Sequence, residues 1–536
     1  MDEITTETAD NAIRRVVILG GGTAGWMTAA YLGKMLPPTV SITVLEAPTI
    51  PKIGVGEATV PSLQPLFFDQ LGIPEEEWMP ECNAAFKMAV RFVNWRTPGG
   101  PHPVPQPLDG GTDHFYHSFG VLPYCDDTPL SHYWVYDRLA GRSTEPYGHA
   151  CMREVPAMDA LRAPRWLDGT RATSYAWHFD AHLVADFLRR FATTKQGVRH
   201  VQDEMTSVDL DERGFITGLR TRASGTLTAD LFVDCSGFRG LLINEALGEP
   251  FLDMSDHLLC DSAVATAVPS DSATQGVEPF TSSIAMPSGW TWRIPMLDRF
   301  GTGYVYASRF ADRDQATRDF CALWNLDPER ATLNHIRFRV GRNRRAWVRN
   351  CVAIGLSSCF LEPLESTGIY FITTAISRLV AHFPDRRFDE TGIDQFNREI
   401  EFMFDNSRDF IQAHFYFSPR TDTPFWRANK QLRLTDNIQE KIATYRAGGV
   451  INAPDLTAKQ ALMGIDVNTD VWTNGSYYCV LAGLGVLPDQ PLPGLADRPA
   501  SLTKAARMFQ EVKQQQRELV DTLPSNHEFL RVLHGR

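Results

Sequence analysis

The stretch RRVVILGGGTAGWMTAAYLGKML, residues 14 to 36, limits the possible folds more than any other part of the chain. An apolar run from Val16 to Leu19 enters a glycine turn, and a helical pattern of apolar residues follows. Gly20, Gly22 and Gly25 stand at GxGxxG spacing. That spacing permits a tight turn, close approach of backbone N–H groups to a pyrophosphate, and tight packing of helix on strand. A second strand, VSITVLEA, ends at Glu46, where an acid can hold a ribose hydroxyl. A lone glycine pattern could be an ordinary turn. Strand, turn, helix and acidic strand end together predict an α/β dinucleotide module with Gly20, Gly21, Gly22, Thr23, Ala24, Gly25 and Glu46 as cofactor contacts.

Further along, TADLFVDCSGFRG reads as a buried strand ending in Asp234, Ser236 and Gly237. Such a second strand-to-glycine turn resembles the FAD-binding monooxygenase-type folds, whose flavin module is assembled from discontinuous segments. Between the two turns, DAHLVADFLRRFA predicts a helix capped by Asp180, with Leu183, Val184, Phe187, Leu188 and Phe191 on its core face.

With 536 residues, 43% of them hydrophobic, the chain can fill two or three packed modules. Its net charge of -12 argues against nucleic-acid binding, which needs clustered Lys and Arg. The acidic start MDEITTETAD is no secretory signal, and no apolar run approaches the ~18 residues of a membrane span. A cytoplasmic protein without membrane contact is expected. Nine cysteines without a CxxC pair predict reduced thiols and no metal site.

Three other stretches carry possible chemistry. In CFLEPLESTGIYF, Ser366, Thr367 and Gly368 precede Ile369, Ile372, Ile376, Leu379 and Phe383 at helical spacing, so they open a helix whose free N–H groups favour an anion. Plain capping would account for them equally well. NAAFKMAVRFVNW alternates like one strand, with Phe86, Met88, Val90 and Phe92 on one face and Lys87 on the other. A strand lysine is usually exposed, and Lys52 in PKIGVGEATVP is its rival. In SGWTWRIPM, Trp290 and Trp292 project from the same side of a strand.

GGGTAG, IGVGEAT, FKMAVRFVNW, GWTWRIP and PLESTGIYF, in this order and spread over the chain, resemble the flavin-dependent tryptophan halogenases. The likeness covers nearly all of the sequence. It implies an FAD-binding monooxygenase-like, Rossmann-type module with a mostly helical substrate module: residues 13–430 for the flavin module with inserted pocket segments, and 431–536 for a helical part that completes the pocket. It implies FAD, used as FADH2, together with O2 and chloride or bromide, which yield hypohalous acid. By this likeness Thr367 and Gly368 bind the halide, and Leu356 and Ile369 contact the flavin. Lys87 and Glu365 transfer the halogen to an indole held by His117, Phe119 and Trp472, while Trp290 and Trp292 wall the two sites apart. Glu362, beside Pro363, is left as a structural acid. A separate NAD(P)H flavin reductase is the expected partner, since no second nucleotide motif is evident. The oligomeric state stays open, a homodimer being one option, and antibiotic biosynthesis is the expected setting.

One departure bears on substrate. Family members that act on free tryptophan hold its ammonium and carboxylate with tyrosines, an acid and a Phe-Trp pair. This chain reads TAKQALMGIDVNTDVWTNGSYYCVLAGLG, keeping Trp472, Tyr477 and Tyr478 but with Leu462 and Met463 for the tyrosines, Val471 for the phenylalanine, and Ser476 for an asparagine. A tryptophan within a peptide, or another elaborated indole, is therefore expected. Free tryptophan is the alternative, with Asp466 or Asp470 rebuilding the clamp. An FAD aromatic monooxygenase shares the fold but would leave Lys87, Glu365 and the WxWxIP pattern unexplained. A non-catalytic flavoprotein would need neither Lys87 nor Glu365.

Overall fold

The computed structural model describes residues 11–49, 56–98, 113–452 and 471–536. Lys52, Leu462, Met463, Asp466 and Asp470 lie outside the described residues. The chain forms two compact units, each built from three segments.

The first unit takes the residues up to Asn83, then Phe179–Ser255 and Phe338–Asp405. It is a mixed α/β unit around a six-stranded sheet in the order Arg199–Gln202, Ser41–Glu46, Arg15–Leu19, Leu231–Asp234, Cys351–Ala353, Trp347–Val348. The first five strands run parallel and the last is antiparallel. Parallel strands covered on both faces read as continuous apolar runs. Val16 to Leu19 and Leu231 to Val233 are accordingly all buried. The glycine turn leads into the helix Thr23–Met35, which packs against the helix Ala181–Lys195. Asp180 caps the latter, accepting hydrogen bonds from the backbone N–H groups of His182 and Leu183. Val184, Phe187 and Leu188 face the core as expected. Leu183 does not and is 40% exposed, because it lies on the edge of the stripe rather than within it.

The second unit takes Ala84–His178, Asp256–Arg337 and Asn406–Arg536. Its centre is a seven-stranded sheet in the order Asn334–Arg337, Ser262–Pro269, Arg299–Tyr306, Gly289–Met296, Thr281–Met286, Ala89–Val93, His114–Ser118. All neighbours are antiparallel except Thr281–Met286 and Ala89–Val93, which run parallel. Its third segment, on both sides of residue 430, is helical among the described residues, with helices such as Asp436–Arg446, Asn474–Gly483 and Pro499–Thr522.

The stretch NAAFKMAVRFVNW is not one strand. It breaks at Met88 into Ala85–Lys87, which pairs with Ala176–Phe179, and Ala89–Val93, which joins the large sheet. The break is fixed by Met88 donating its backbone N–H to the Pro279 carbonyl at 2.6 Å. Lys87, where a strand lysine would ordinarily reach water, is 0% exposed. All nine cysteines are free, as expected. Among the described residues no cluster could hold a metal ion, and no helix is long and apolar enough to cross a membrane.

Candidate active site

In the first unit, the glycine turn separates two kinds of glycine. A Cβ on Gly20 would lie 2.3 Å from the Cys235 carbonyl oxygen, and one on Gly25 would lie 1.9 Å from the Gly20 oxygen, so both positions need glycine for the chain's own packing. At Gly21 a Cβ would meet the Glu46 carboxyl group, which in turn accepts a hydrogen bond from His200 Nε2 at 2.8 Å. Gly22 differs: a Cβ there would meet nothing within 4 Å. Thr23 and Ala24 begin the helix beyond it. An open cradle at the N-terminus of a 13-residue helix suits a pyrophosphate.

The end of the strand Leu231–Asp234 supports this turn from the side. Asp234 is fully buried and accepts hydrogen bonds from Ser236 N–H and Oγ–H and from the N–H groups of Leu242 and Ile243. Burial pushes its carboxyl pKa up, against those bonds, which pull it down.

The GLSS turn packs onto the glycine-turn helix, since a Cβ on Gly355 would lie 2.9 Å from that of Ala24. Leu356 sits half-buried in that turn. The helix Thr367–Ala381 also packs on the Thr23–Met35 helix and buries Thr367, Ile369, Ile372, Ile376 and Leu379. Phe383 falls beyond its end. Ahead of this helix, Glu365 and Ser366 both have left-handed backbones, with φ of 65° and 62°. For side chains other than glycine this costs about 1–3 kcal/mol each and is held by the surroundings. Glu362, Glu365 and Thr367 are buried, whereas a Cβ on Gly368 would meet open space.

In the second unit the large sheet sorts its side chains by register. His117, Val90 and Thr281 form one row, and Phe115, Phe92, Ser283, Trp292 and Gly303 form the next on the same face. The rings of Trp290 and Trp292 lie on one side as expected, 6.2 Å apart, and the Trp292 ring occupies the place a Gly303 side chain would fill. Lys87 Nζ lies 4.9 Å from the centre of the Phe119 ring. Phe119 is 6.2 Å from His117, and His117 is 5.7 Å from Phe410 and 6.2 Å from Trp472. Phe410 stacks on Trp472 at 4.3 Å, and Trp472 Nε1 donates to Ser407 Oγ at 3.3 Å. Lys87, His117, Phe119 and Trp472 are thus brought together in this unit, while Glu365, Thr367 and Gly368 belong to the other.

Two members of this neighbourhood escape sequence reasoning. Phe410 lies in RDFIQAHFYF, part of the helix Glu390–Phe417, where an aromatic at helical spacing reads as core. His178, in YAWHFD, gives no motif at all. It is 0% exposed, shares a hydrogen bond of 2.8 Å between its Nε2 and Thr281 Oγ1, and its pKa is held well below the usual histidine range by burial and then by the charge of Lys87.

The tryptophan halogenase family model matches residues 15–500. The chain belongs to that family. It is 63% identical over 528 residues to tryptophan 6-halogenase ThaL of Streptomyces albogriseolus, a match covering 98% of this chain and 99% of that one. It is 62% identical over 526 residues to tryptophan 7-halogenase RebH of Lentzea aerocolonigenes, with the same coverage. Among solved structures, Tar14, a tryptophan C-6 flavin-dependent halogenase from taromycin biosynthesis, superposes with a TM-score of 0.85 at 39% identity, covering 97% of this chain and 99% of that one. As a tryptophan halogenase the protein is a flavin-dependent enzyme of Rossmann-type fold.

Proposed function

We propose that the protein halogenates the indole ring of tryptophan, using FADH2, O2 and chloride or bromide, with hypohalous acid as the species that reaches Lys87. The observation that carries this reading is Lys87 itself, an ammonium without solvent exposure set against the Phe119 ring beside His117 and Trp472. A buried cation forfeits several kcal/mol of hydration unless partners compensate, and a fully buried lysine beside a slot of aromatic rings is a functional-site candidate on that ground.

The bound reduced flavin would supply, with oxygen, the oxidising equivalents for the halide. The chain's own residues do the rest. Gly20 to Gly25 and Glu46 hold the dinucleotide, Leu356 and Ile369 contact the flavin, and Thr367 and Gly368 hold the halide at the helix start. Lys87 either donates a hydrogen bond to the oxygen of the hypohalous acid or carries the halogen as a haloamine. Either route ends with the halogen on a ring carbon, water released, and the ring proton taken by the Glu365 carboxylate. His117, Phe119 and Trp472 fix which carbon is presented. Trp290 and Trp292 keep the ring away from the flavin. Reduced flavin comes from a separate NAD(P)H flavin reductase.

We read the substrate as a tryptophan whose amino and carboxyl groups are part of amides, or another elaborated indole. By the family likeness, Val471 and Ser476 replace the phenylalanine and the asparagine that help to hold a free amino acid. A zwitterion without partners would lose several kcal/mol of solvation. The identities of 63% and 62% to enzymes named for tryptophan favour free L-tryptophan as the second reading.

The test supplies reduced FAD, O2 and halide with free tryptophan and with tryptophan-containing peptides, and follows the mass gain. The expected result is a larger kcat/KM for a peptide. Efficient turnover of the free amino acid without peptide activity would overturn the substrate reading, and no halogenated indole of any kind would overturn the function.

A further inference from the structure

Lys87 and His178 occupy neighbouring strands whose register places Ala85 opposite His178 and Lys87 opposite Ala176. Residues two apart on a strand share a face, so the two side chains project from the same side as diagonal neighbours, about 7–8 Å apart at the backbone. Both are completely buried. On its far side the imidazole is tied to Thr281, and Thr281 stands in the same row of the large sheet as His117. The other ring nitrogen, Nδ1, is buried, and the Pro295 carbonyl acts on the ring as a hydrogen-bond acceptor.

We propose that His178 is a positioning residue for Lys87: an uncharged imidazole, anchored on Thr281, that holds the ammonium in its place beside the Phe119 ring. Two charged groups this close in a dry interior would repel each other, so one of the pair must be neutral. An apolar side chain at 178 would remove a polar group from this face of Lys87 and loosen the hold on its four-carbon stem. A neutral imidazole that shares its hydrogen bond with Thr281 Oγ1 sets a polar group, and no charge, beside Lys87. The proposal rests on Lys87 as the residue that transfers the halogen.

The test compares Lys87→Met, His178→Leu, His178→Gln, Thr281→Val and the double variant Lys87→Met with His178→Leu, each with reduced FAD, halide and the preferred indole. Leucine at 178 should lower kcat by about tenfold or more with KM changed less than about twofold, as expected when a reacting group is displaced while binding surfaces persist. Glutamine, whose amide can still meet Thr281, should restore most of the rate. Consumption of reduced FAD should be unaffected in all of them, and the double variant should be no worse than Lys87→Met alone. If Lys87→Met keeps wild-type product, the underlying reading of Lys87 fails. If Lys87→Met is inactive but folded His178→Leu keeps the wild-type kcat, the positioning role fails. It fails also if glutamine and leucine reduce kcat alike or if KM rises with the loss. Should the leucine variant not fold, His178→Gln must retain the rate and Thr281→Val must lower it, and a wild-type kcat for Thr281→Val would overturn the proposal.

Discussion

Gly22 and Gly25 stand in the same turn and answer to different constraints. Gly25 has no room for a methyl group, whereas Gly22 has open space before it. Gly22→Val should therefore fold with a stability change within about 0.5 kcal/mol, yet bind no flavin, because its side chain would fill the approach to the pyrophosphate. Gly25→Ala should lose about 1–3 kcal/mol from overpacking alone. Thermal melting together with flavin fluorescence titration separates the two, and retained flavin affinity in a folded Gly22→Val variant would refute the placement. At Lys87 the expected outcome of Lys87→Met is continued oxidation of reduced FAD with halogenated product down by about 10²–10⁴-fold, the range for loss of a group that handles a reacting atom. Product mass set against reduced-FAD consumption checks it. The two glycines and Lys87 were visible in the sequence as types at a spacing. What the sequence could not supply was the reason for each, since a glycine needed by a neighbouring carbonyl and one needed by a ligand look the same on the page.

Local rules carry an element well where the interaction is local. Asp180 as a helix cap needs only the next two or three residues, and the structure makes those bonds. Asp180→Ala should cost about 1 kcal/mol, read from denaturant unfolding. Leu183, assigned to the core by periodicity, is on the surface, so Leu183→Gln should change stability by less than about 0.5 kcal/mol. The strand that splits at Met88 shows where local reading stops. Its alternation is real, but the partner that interrupts it, the Pro279 carbonyl, is distant in sequence. His178 and Phe410 were unreadable for the same reason: a buried histidine becomes interesting only when a register places it beside a lysine. The left-handed backbones of Glu365 and Ser366 likewise depend on surroundings that over-determine them, and no residue type announces them.

For the molecule as a whole, the buried imidazoles set an acid limit. His178 and His132 are both nearly inaccessible and both have pKa values lowered by burial first. The unfolded chain takes up protons at these positions near pH 6.5 while the folded chain does not, so their contribution is complete above that pH and is lost as pH falls below it. Each costs up to about 1.4 kcal/mol per pH unit in that range. Asp234 and Glu154, with raised carboxyl pKa values, titrate in the opposite sense. Unfolding free energies measured between pH 7.5 and 5.5 should fall less steeply for His178→Gln than for the wild type, and equal slopes would show that His178 is not buried neutral. The fold class was legible from the glycine turn, but the division into units was not, because each unit takes its segments from three places in the chain. That arrangement has a consequence for birth on the ribosome. The strand Ala89–Val93 emerges early and must wait for Thr281–Met286 before its edge is paired, and Arg15–Leu19 belongs to a sheet that lacks Cys351–Ala353 until still later. The first unit cannot close before Asp405 has emerged and the second draws on residues up to Arg536, so the nascent chain carries unpaired strand edges for most of its translation time and should depend on chaperones that shield them.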